Sequence, residues 1–258
     1  MKFKFFISLL AGALLWQFGL ANLQPAAASE FSPKQKDEID LMVHDYLLQH
    51  PEVLREALTA MASQEKADEQ AAQDRFTQDM NGALYQSKHQ AVVGNPDGKT
   101  VLVEFFDYNC GYCKRTIDDI ATLMKQNPQL KVVLKDFPVL GPGSIEASKI
   151  ASAVRNQLTG DKFWDFHRTL LLSHGPVGKA QALEVARAKG VDMNRLAADL
   201  ASPDINEGIS EVMTMGDKLG LTGTPSFVVG GEVVVGAVGY DQLNQKITNT
   251  QSCGHAQC

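Results

Sequence analysis

The sequence predicts an α/β protein in which a long helical subdomain interrupts a domain of alternating strands and helices. Two features of the 258 residues lead to this prediction. From about residue 90 onward, short runs of β-branched and aromatic residues alternate with segments of helical periodicity. From residue 29 to 89 the chain is polar, rich in Ala, Gln, Glu and Lys, and has no glycine before Gly82. That composition is typical of helices, so a helical N-terminal region is expected ahead of the mixed domain.

The first residues have the pattern of a secretory signal peptide. Lys2 and Lys4 give a positive start, residues 5–20 are mostly apolar, and Ala26 to Ala28 provide small residues for cleavage. A membrane anchor is the alternative, but the apolar run is short for a membrane span. We expect cleavage after Ala28 and a periplasmic location, where disulfides persist.

The charge excludes one class of partner. The chain has 24 basic and 30 acidic residues, a net charge of −6 that becomes −8 when Lys2 and Lys4 are removed. Because a negative protein repels the phosphate backbone, no nucleic-acid partner is expected.

The region from residue 29 to 87 is predicted to form helices that carry an apolar stripe. Ser32 and Pro33 are a typical N-cap and first-turn pair, and Pro51 breaks or restarts the helix. The stripe recurs at helical spacing and comprises Ile39, Met42, Val43, Tyr46, Leu47, Val53, Leu54, Leu58 and Met61. Residues 62–80 have high helix propensity but, apart from Phe76, almost no apolar face.

The stripe has no partner nearby in the sequence. It can pack against the following domain, or it can associate with copies of itself. We favour self-association because the apolar and polar faces are clearly separated. Residues 29–87 are therefore predicted to be a helical oligomerisation stalk, after a signal peptide over residues 1–28 and before a mixed domain over residues 88–258.

The first half of the mixed domain contains two strand patterns around one helix. Residues 91–93 and 100–106 flank a turn at 94–98 and are predicted to pair as a hairpin. The second of these runs is almost continuously apolar, as in a central strand buried on both faces. A helix is expected over residues 110–124 and another strand over residues 130–137.

The second half begins with a helical stretch from about residue 144 to 219, broken by glycines and prolines. Residues 226–229 and 232–235 are predicted to form a hairpin across Gly230 and Gly231. A closing helix is expected over residues 240–248. The order of strand, helix, strand, helical insert, hairpin and helix is that of a thioredoxin-like fold with an inserted helical subdomain.

Cys110 and Cys113 are the strongest functional signal. They follow a predicted buried strand and begin a helix, where the free N–H groups and the helix dipole stabilise a thiolate. Only the thiolate attacks a disulfide, so Cys110 is the expected nucleophile and Cys113, one turn later, the resolving thiol. A zinc site would need two further ligands, and a structural disulfide would add little at this corner. We predict redox chemistry on the dithiol itself, with no cofactor and no bound metal.

A proline before the last hairpin is the second signal. Pro225 follows Thr224 and enters a predicted strand, where it costs a hydrogen-bond donor. A cis peptide in a tight turn would leave the backbone of Thr224 free to pair with an extended substrate. From the spacing alone, an ordinary trans turn proline is the better prediction.

Three segments resemble the periplasmic DsbA-like family. The sequence Phe-Phe-Asp-Tyr-Asn-Cys-Gly-Tyr-Cys-Lys at residues 105–114 is similar to that family's active-site segment. Residues 137–142 and 223–225 are similar to its later landmarks. Residues 45–54 resemble the N-terminal segment of one branch, the suppressor-of-copper-sensitivity protein C group. The resemblance covers nearly the whole chain after the leader.

This resemblance implies a thioredoxin fold with a helical insertion and a cis Pro225 that lies against Cys110 and Cys113. It also implies that the N-terminal helices form a homotrimer. The partners it implies are misfolded or reduced exported proteins as substrates and a membrane thiol reductase as electron donor.

The residues around the dithiol bear on the direction of electron flow. Gly111 and Tyr112 between the cysteines, and Thr224 before the proline, resemble the dimeric periplasmic isomerases, whereas strong oxidants of the family carry Pro-His and tend to have Val. Several copies on one stalk would present their sites to one misfolded substrate. We therefore predict a disulfide isomerase or reductase, with a dithiol oxidase as the alternative.

Glu104 is an acid in an otherwise apolar run, six residues before Cys110. An acid in a buried strand is costly unless it is used or paired. It resembles the buried acid with which DsbA-like proteins assist proton movement at the second cysteine, and Lys135 is a candidate partner. The alternative is that Glu104 points to the surface.

Cys253 and Cys258 lie outside the resembling core. In an exported protein a local structural disulfide is the default. The alternative is a copper site formed by the two thiols and His255, since soft ligands suit Cu(I); it belongs to a third functional hypothesis, a copper-binding protein. We predict the disulfide.

Overall fold

The computed structural model describes residues 31–258, so the predicted leader and its cleavage site near Ala28 lie outside the described residues. The chain divides into two compact units, of which the first ends at Met61 and the second runs from Ala62 to Cys258. Within residues 31–258, no helix combines the length and apolar character needed to cross a membrane.

The N-terminal unit is helical, as the sequence predicts. Helix α1 (Pro33–Gln49) begins at a capping box in which the Ser32 side chain accepts from the Gln35 backbone and the Gln35 side chain accepts from the Ser32 backbone. Helix α2 (Pro51–Gln78) starts directly after His50. No residue of α1 is buried. The large apolar side chains left exposed in the described part of this unit are Phe31, Ile39, Leu41, Met42, Val43, Tyr46, Leu48, Leu54, Leu58 and Met61.

The predicted boundary at residue 87 differs from the division in the structure, which falls within α2 at residue 61. The end of α2 belongs to the second unit and packs within it: the Gln73 amide donates to the Leu219 carbonyl at 2.6 Å, and Thr77 is buried. The short helix α3 (Ala83–Gln86) buries Leu84 and Tyr85 completely or nearly so. A few contacts at single positions, without an apolar stripe, are enough to fix this polar segment.

Five strands form one sheet in the order β1-β3-β2-β4-β5. They are β1 (Ala91–Gly94), β2 (Thr100–Phe106), β3 (Leu130–Asp136), β4 (Ser226–Val229) and β5 (Glu232–Val235). Strand β2 lies at the centre, parallel to β3 and antiparallel to β4. The hairpin of β4 and β5 is confirmed, and its two turn glycines, Gly230 and Gly231, both have positive φ, as tight hairpin turns require.

The predicted pairing of β1 with β2 is wrong. Strand β1 pairs antiparallel with β3, which inserts between the two. The connecting residues bind the turn before β3 instead of closing a hairpin: the Asn95 backbone N–H donates to the Leu130 carbonyl at 2.9 Å, and its amide donates to the Pro128 carbonyl at 2.8 Å.

The remaining elements cover the two faces of the sheet. Helix α4 (Gly111–Gln126) links β2 to β3, and α10 (Tyr240–Cys253) closes the fold. The insertion contains α5 (Pro142–Val154), α6 (Gly160–Leu171), α7 (Lys179–Ala188), α8 (Met193–Leu200) and α9 (Pro203–Lys218). One core contains Leu102, Phe106 and the inner sides of α4, α10 and most of the insertion. The other contains Val103, Phe105 and residues of α3 and α9.

Candidate active site: a cysteine pair at a helix N-terminus

Cys110 is the N-cap of α4, placed there by the end of β2 and a short turn. Its Sγ accepts a hydrogen bond from the Cys113 backbone N–H at 3.3 Å and, in the thiol form, donates to the Thr224 carbonyl at 3.1 Å. Neither Cys110 nor Cys113 is in a disulfide. Cys110 retains 3% exposure and Cys113 none, so an incoming disulfide reaches Cys110 first.

The two thiols have opposite electrostatic environments. The hydrogen bond from the Cys113 side chain, aided by the backbone N–H groups of Tyr112 and Cys113, lowers the pKa of Cys110 to about 5 against the opposing effect of burial. The hydrogen bond to Cys110 and burial raise the pKa of Cys113 well above its ordinary value, and the charge of Glu104 adds to this. At neutral pH, Cys110 is therefore a thiolate and Cys113 a thiol.

Gly111 and Tyr112 occupy the outer side of this helix turn. A side chain at Gly111 would meet no atom within 4 Å, so the position is open to approaching molecules. Tyr112 is exposed, and the Arg115 guanidinium stacks on its ring at 4.2 Å from the centroid. The side chains of Tyr112 and Arg115, together with the open position at Gly111, thus form the outer surface of the site.

The proline loop lies directly against the dithiol. The Thr224–Pro225 peptide bond is cis, as the resemblance implies and against the expectation from spacing alone. The Ser226 hydroxyl donates to the Gly223 carbonyl at 2.8 Å, and the Gly236 N–H donates to the Pro225 carbonyl at 2.9 Å. These bonds hold the loop so that the Thr224 carbonyl meets the Cys110 sulfur.

Glu104 is fully buried in the central strand. It lies on the sheet face of Leu102 and Phe106 by strand alternation, the face on which Cys113 also packs. Neither carboxyl oxygen has a hydrogen-bond partner. Burial, and secondarily the charge of Cys110, raises the pKa of Glu104 to about 8. A carboxyl in this state can take or give a proton near neutral pH.

Lys135 lies on the face of the sheet opposite Glu104, so the predicted pairing of these two residues is wrong. It alternates with Leu134, which packs in the core of Glu104, so its side chain leaves the opposite face of the sheet. Its ammonium group donates to the Ala83 carbonyl at 2.9 Å and to the Gln90 amide oxygen at 2.7 Å. Burial lowers its pKa to about 7, but the sheet separates it from the dithiol.

Asp107 is a site residue that the sequence analysis missed. It is fully buried, and its Oδ2 accepts from the Leu140 N–H at 2.9 Å. Its Oδ1 accepts from the Ser144 hydroxyl at 2.7 Å. Asp107 therefore fixes the loop after β3, with its exposed Val139 and Leu140, beside the turn that leads to Cys110. An acid directly after an apolar strand was the available signal.

The C-terminal pair is a disulfide that joins Cys253 and Cys258. In this state its sulfurs are not available as thiolate ligands, which leaves His255 without the soft donors of the copper alternative. Within the described chain, the residues grouped closely enough to hold a metal are His89, Asp204 and Glu207. His89 is buried, and its two ring nitrogens contact the carboxylates of Glu211 and Asp204.

Comparison with known proteins agrees with this geometry. Residues 101–248, more than half of the chain, match the DSBA-like thioredoxin domain. The chain belongs to the DSBA-like thioredoxin family. Residues 35–68 match a second family, the copper resistance protein ScsC N-terminal domain. The two matches together place this chain with DSBA-like proteins that carry an ScsC-type N-terminal region.

Solved structures show the same relationship. A thioredoxin-like oxidoreductase from Silicibacter pomeroyi is 35% identical, with a TM-score of 0.62 over 66% of this chain and 97% of that one. Proteus mirabilis ScsC in a compact conformation is 31% identical, with a TM-score of 0.63 over 84% of this chain and 99% of that one. The second relative therefore resembles this DSBA-like chain through most of its length.

Curated relatives cover the chain less evenly. The Na(+)/H(+) antiporter NhaA 1 of Salinispora arenicola is 26% identical over 160 residues, which are 61% of this chain and 24% of the antiporter. The chain thus spans about a quarter of that relative's length. A probable disulfide bond formation protein D of Bacillus cereus is 24% identical, over 60% of this chain and 76% of that protein.

Proposed function

We propose that this DSBA-like protein is a thiol–disulfide oxidoreductase that works as a protein disulfide isomerase or reductase. The observation that carries the proposal is the asymmetric dithiol: a Cys110 thiolate at the start of α4 beside a buried, protonated Cys113. The Thr224 carbonyl, 3.1 Å from the Cys110 sulfur, marks the place where an extended substrate would pair with the loop.

The reaction follows from this asymmetry. The Cys110 thiolate attacks one sulfur of a substrate disulfide, which forms a mixed disulfide and releases the other sulfur as a thiolate. The released thiolate can attack another substrate disulfide and rearrange the pairing. Alternatively, when Glu104 is ionised, Cys113 gives its proton to Glu104 and attacks the Cys110 sulfur of the mixed disulfide, which releases the substrate thiolate and leaves the enzyme oxidised. A reductant must then return two electrons, a role we assign to a membrane thiol reductase.

Residues near the dithiol support isomerisation over oxidation. Gly111 is open and Tyr112 exposed, which suits contact with irregular, misfolded protein surfaces. Gly111, Tyr112 and Thr224 are also the residues in which the sequence resembles isomerases. These features favour an enzyme that is kept reduced and that attacks incorrect disulfides.

One observation favours the alternative, a dithiol oxidase. A Cys110 pKa of about 5 stabilises the reduced form, and a stabilised reduced form makes a dithiol a stronger oxidant. The copper-binding alternative is supported by the name of the matched N-terminal family alone. Titration with Cu(I) of the wild type and of Cys110→Ala decides it: absence of tight stoichiometric binding removes copper from the function.

The proposed location is the periplasm and the proposed assembly a homotrimer. The N-terminal unit exposes a row of large apolar side chains, with Leu48 and Leu58 each about two thirds exposed. Such a row is costly in water and marks an interaction face. The full chain with Leu48→Lys and Leu58→Lys should sediment as a monomer, whereas Glu56→Lys on α2 should leave the assembly intact. A trimer that persists in the double variant contradicts this proposal.

The direction of electron flow is tested by trapping thiols in cells. Rapid acid quenching followed by alkylation should find Cys110 and Cys113 mostly reduced if the protein is an isomerase or reductase. A mostly oxidised pair would instead support the oxidase. The same preparations are then assayed for their ability to restore the activity of scrambled ribonuclease. The wild type and Cys253→Ser should restore it, and either protein should lose this ability when Cys110 is also replaced.

A further inference from the structure

A segment of the helical insertion meets the dithiol motif from two sides. It is the loop of residues 172–177 between α6 and α7. The carboxamide of Asn109, the residue before Cys110, donates to the Val177 carbonyl at 2.8 Å. Its oxygen accepts from the Val177 N–H at 2.7 Å. The Asn109 side chain thus forms hydrogen bonds with both the N–H and the carbonyl of Val177, as the backbone of a neighbouring strand would.

Asn109 is itself fixed by buried polar groups. Its backbone N–H donates to Asp107 Oδ1 at 2.8 Å, and its amide also donates to the Ser144 hydroxyl at 3.0 Å. Val177 and Ser144 are both buried. A carboxamide with this many partners has one orientation, so its two bonds to Val177 fix the loop against the turn that carries Cys110.

The second link comes from the other side of the motif. Lys114, the residue after Cys113, reaches the Ser173 carbonyl with its ammonium group at 2.9 Å. Its geometry serves to hold the loop.

Between these anchors the loop is open to solvent. Residues 174–176 are exposed, and Leu172, directly before the anchor at Ser173, is 43% exposed. The loop therefore has fixed ends and an accessible middle, next to a nucleophile that is itself almost covered. A polypeptide that delivers a disulfide to Cys110 has to pass the surfaces around it, which include the Thr224 loop and the loop of Leu140.

We propose that residues 172–177 form a further wall of the surface that binds polypeptide substrates, and that Asn109 and Lys114 are the positioning residues that hold this wall beside Cys110. The inference rests on the proposed thiol–disulfide exchange but not on its direction. The wall contacts the chain that flanks a substrate disulfide, so it acts on proteins and extended peptides and not on small disulfides.

The test compares two substrates in the full-length protein. Insulin is the polypeptide substrate and glutathione disulfide the small one, each assayed with the wild type, Asn109→Ala, Lys114→Met and Leu172→Ser. Asn109→Ala should raise the KM for insulin by about tenfold, since it removes two hydrogen bonds from the loop. Lys114→Met and Leu172→Ser should raise it by about threefold each. The KM for glutathione disulfide should change less than twofold in all three.

Two controls separate positioning from general damage. Thr122→Ala removes a side-chain bond to Asp118 on the outer face of α4 and should leave both substrates unaffected. The midpoint of Cys110 alkylation against pH should stay where it is in the wild type, because the thiolate contacts are untouched. Asn109→Asp keeps the acceptor for the Val177 N–H but turns a carboxylate oxygen toward the Val177 carbonyl, so this repulsion should raise the KM for insulin at least as much as Asn109→Ala does.

The outcomes are distinct. Equal losses for insulin and glutathione disulfide, or a shifted Cys110 midpoint, would show that Asn109 positions the nucleophile and not a substrate wall. An unchanged insulin KM in Leu172→Ser, which is exposed and should fold, would also overturn the proposal. If the wild type exchanges with neither substrate, the proposed function itself has failed.

Discussion

The two cysteine pairs of this protein lie at opposite ends of helices and in opposite states. Cys110 caps the N-terminus of α4, where Cys113 and the helix backbone donate to its sulfur. Cys253 is the last residue of α10, before Gly254 in the left-handed conformation, and is bonded to Cys258. Donors stabilise a thiolate at the first position, and carbonyl groups face the second. The same residue type thus has a redox role in one place and a structural role in the other.

The largest effect on activity is expected from removal of the nucleophile. Cys110→Ser should lower insulin reduction by at least about a thousandfold, because no other thiolate is positioned at the Thr224 loop. Cys113→Ser should accumulate mixed disulfides that a mass measurement detects. Cys253→Ser with Cys258→Ser should retain turnover near the wild-type rate. Comparable losses from both pairs would contradict the division of roles.

Alkylation kinetics sharpen the comparison. With both pairs reduced at pH 6, iodoacetamide should modify Cys110 well before Cys253, since Cys110 has a pKa of about 5. The expected ratio of rates is at least about tenfold. Peptide mapping after timed quenching measures it, and preferential modification of Cys253 would remove the helix-end explanation.

The next effect concerns the proton of Cys113. Glu104→Gln keeps the shape of the side chain but cannot accept a proton, so resolution of the mixed disulfide should slow by about a hundredfold. Attack by Cys110 on a substrate disulfide should stay close to the wild-type rate. Rapid quenching separates the two steps; equal slowing of both would assign Glu104 a structural role.

The same substitution has a pH-dependent effect on stability. The pKa of Glu104 is about 8 in the fold against 4.5 ordinarily, so the unfolded chain loses its proton first and folding weakens as the pH rises from about 4.5 to 8. Glu104→Gln removes this loss. Compared with the wild type, the gain in unfolding free energy of Glu104→Gln should be absent near pH 4 and on the order of 5 kcal/mol above pH 8. Urea unfolding of the reduced protein measures it, with exposed Glu184→Gln as the unaffected control.

Loss of the C-terminal disulfide should have the smallest effect. It closes a loop with a sequence separation of 5 residues, so Cys253→Ser with Cys258→Ser should cost about 2 kcal/mol of unfolding free energy. The tail also docks through the Ala256 N–H, which donates to the Gly230 carbonyl at 3.3 Å, so part of it should stay ordered. Amide exchange at Ala256 would show whether this contact survives.

Local patterns predicted much of the fold and the central part of the site. The apolar run of β2, the glycines of the β4–β5 turn and the spacing of Cys110 and Cys113 are short-range signals, and all three are present in the structure. Each depends on neighbours within a few residues. That is why one sequence was sufficient to find them.

Features that depend on distant partners were not predictable in this way. Strand β1 pairs with β3, about 40 residues later, because a turn that looks like a hairpin binds another loop. Lys135 leaves the sheet on the face opposite Glu104, which alternation decides only once the inner face of β3 is known. The polar end of α2 is fixed by Gln73 and Thr77, which carry no hydrophobic signal.

The thiolate at the start of α4 also sets how the electrochemistry depends on pH. Above pH 5, reduction of the Cys110–Cys113 disulfide takes up two electrons but one proton, because Cys110 stays ionised. The midpoint potential then falls by about 30 mV per pH unit, half the slope of a dithiol that takes up two protons. Against a donor of that second kind, each pH unit shifts the exchange about tenfold toward the reduced protein. A higher pH therefore favours reduction of this protein by such a donor, and a lower pH favours transfer of its electrons to another disulfide.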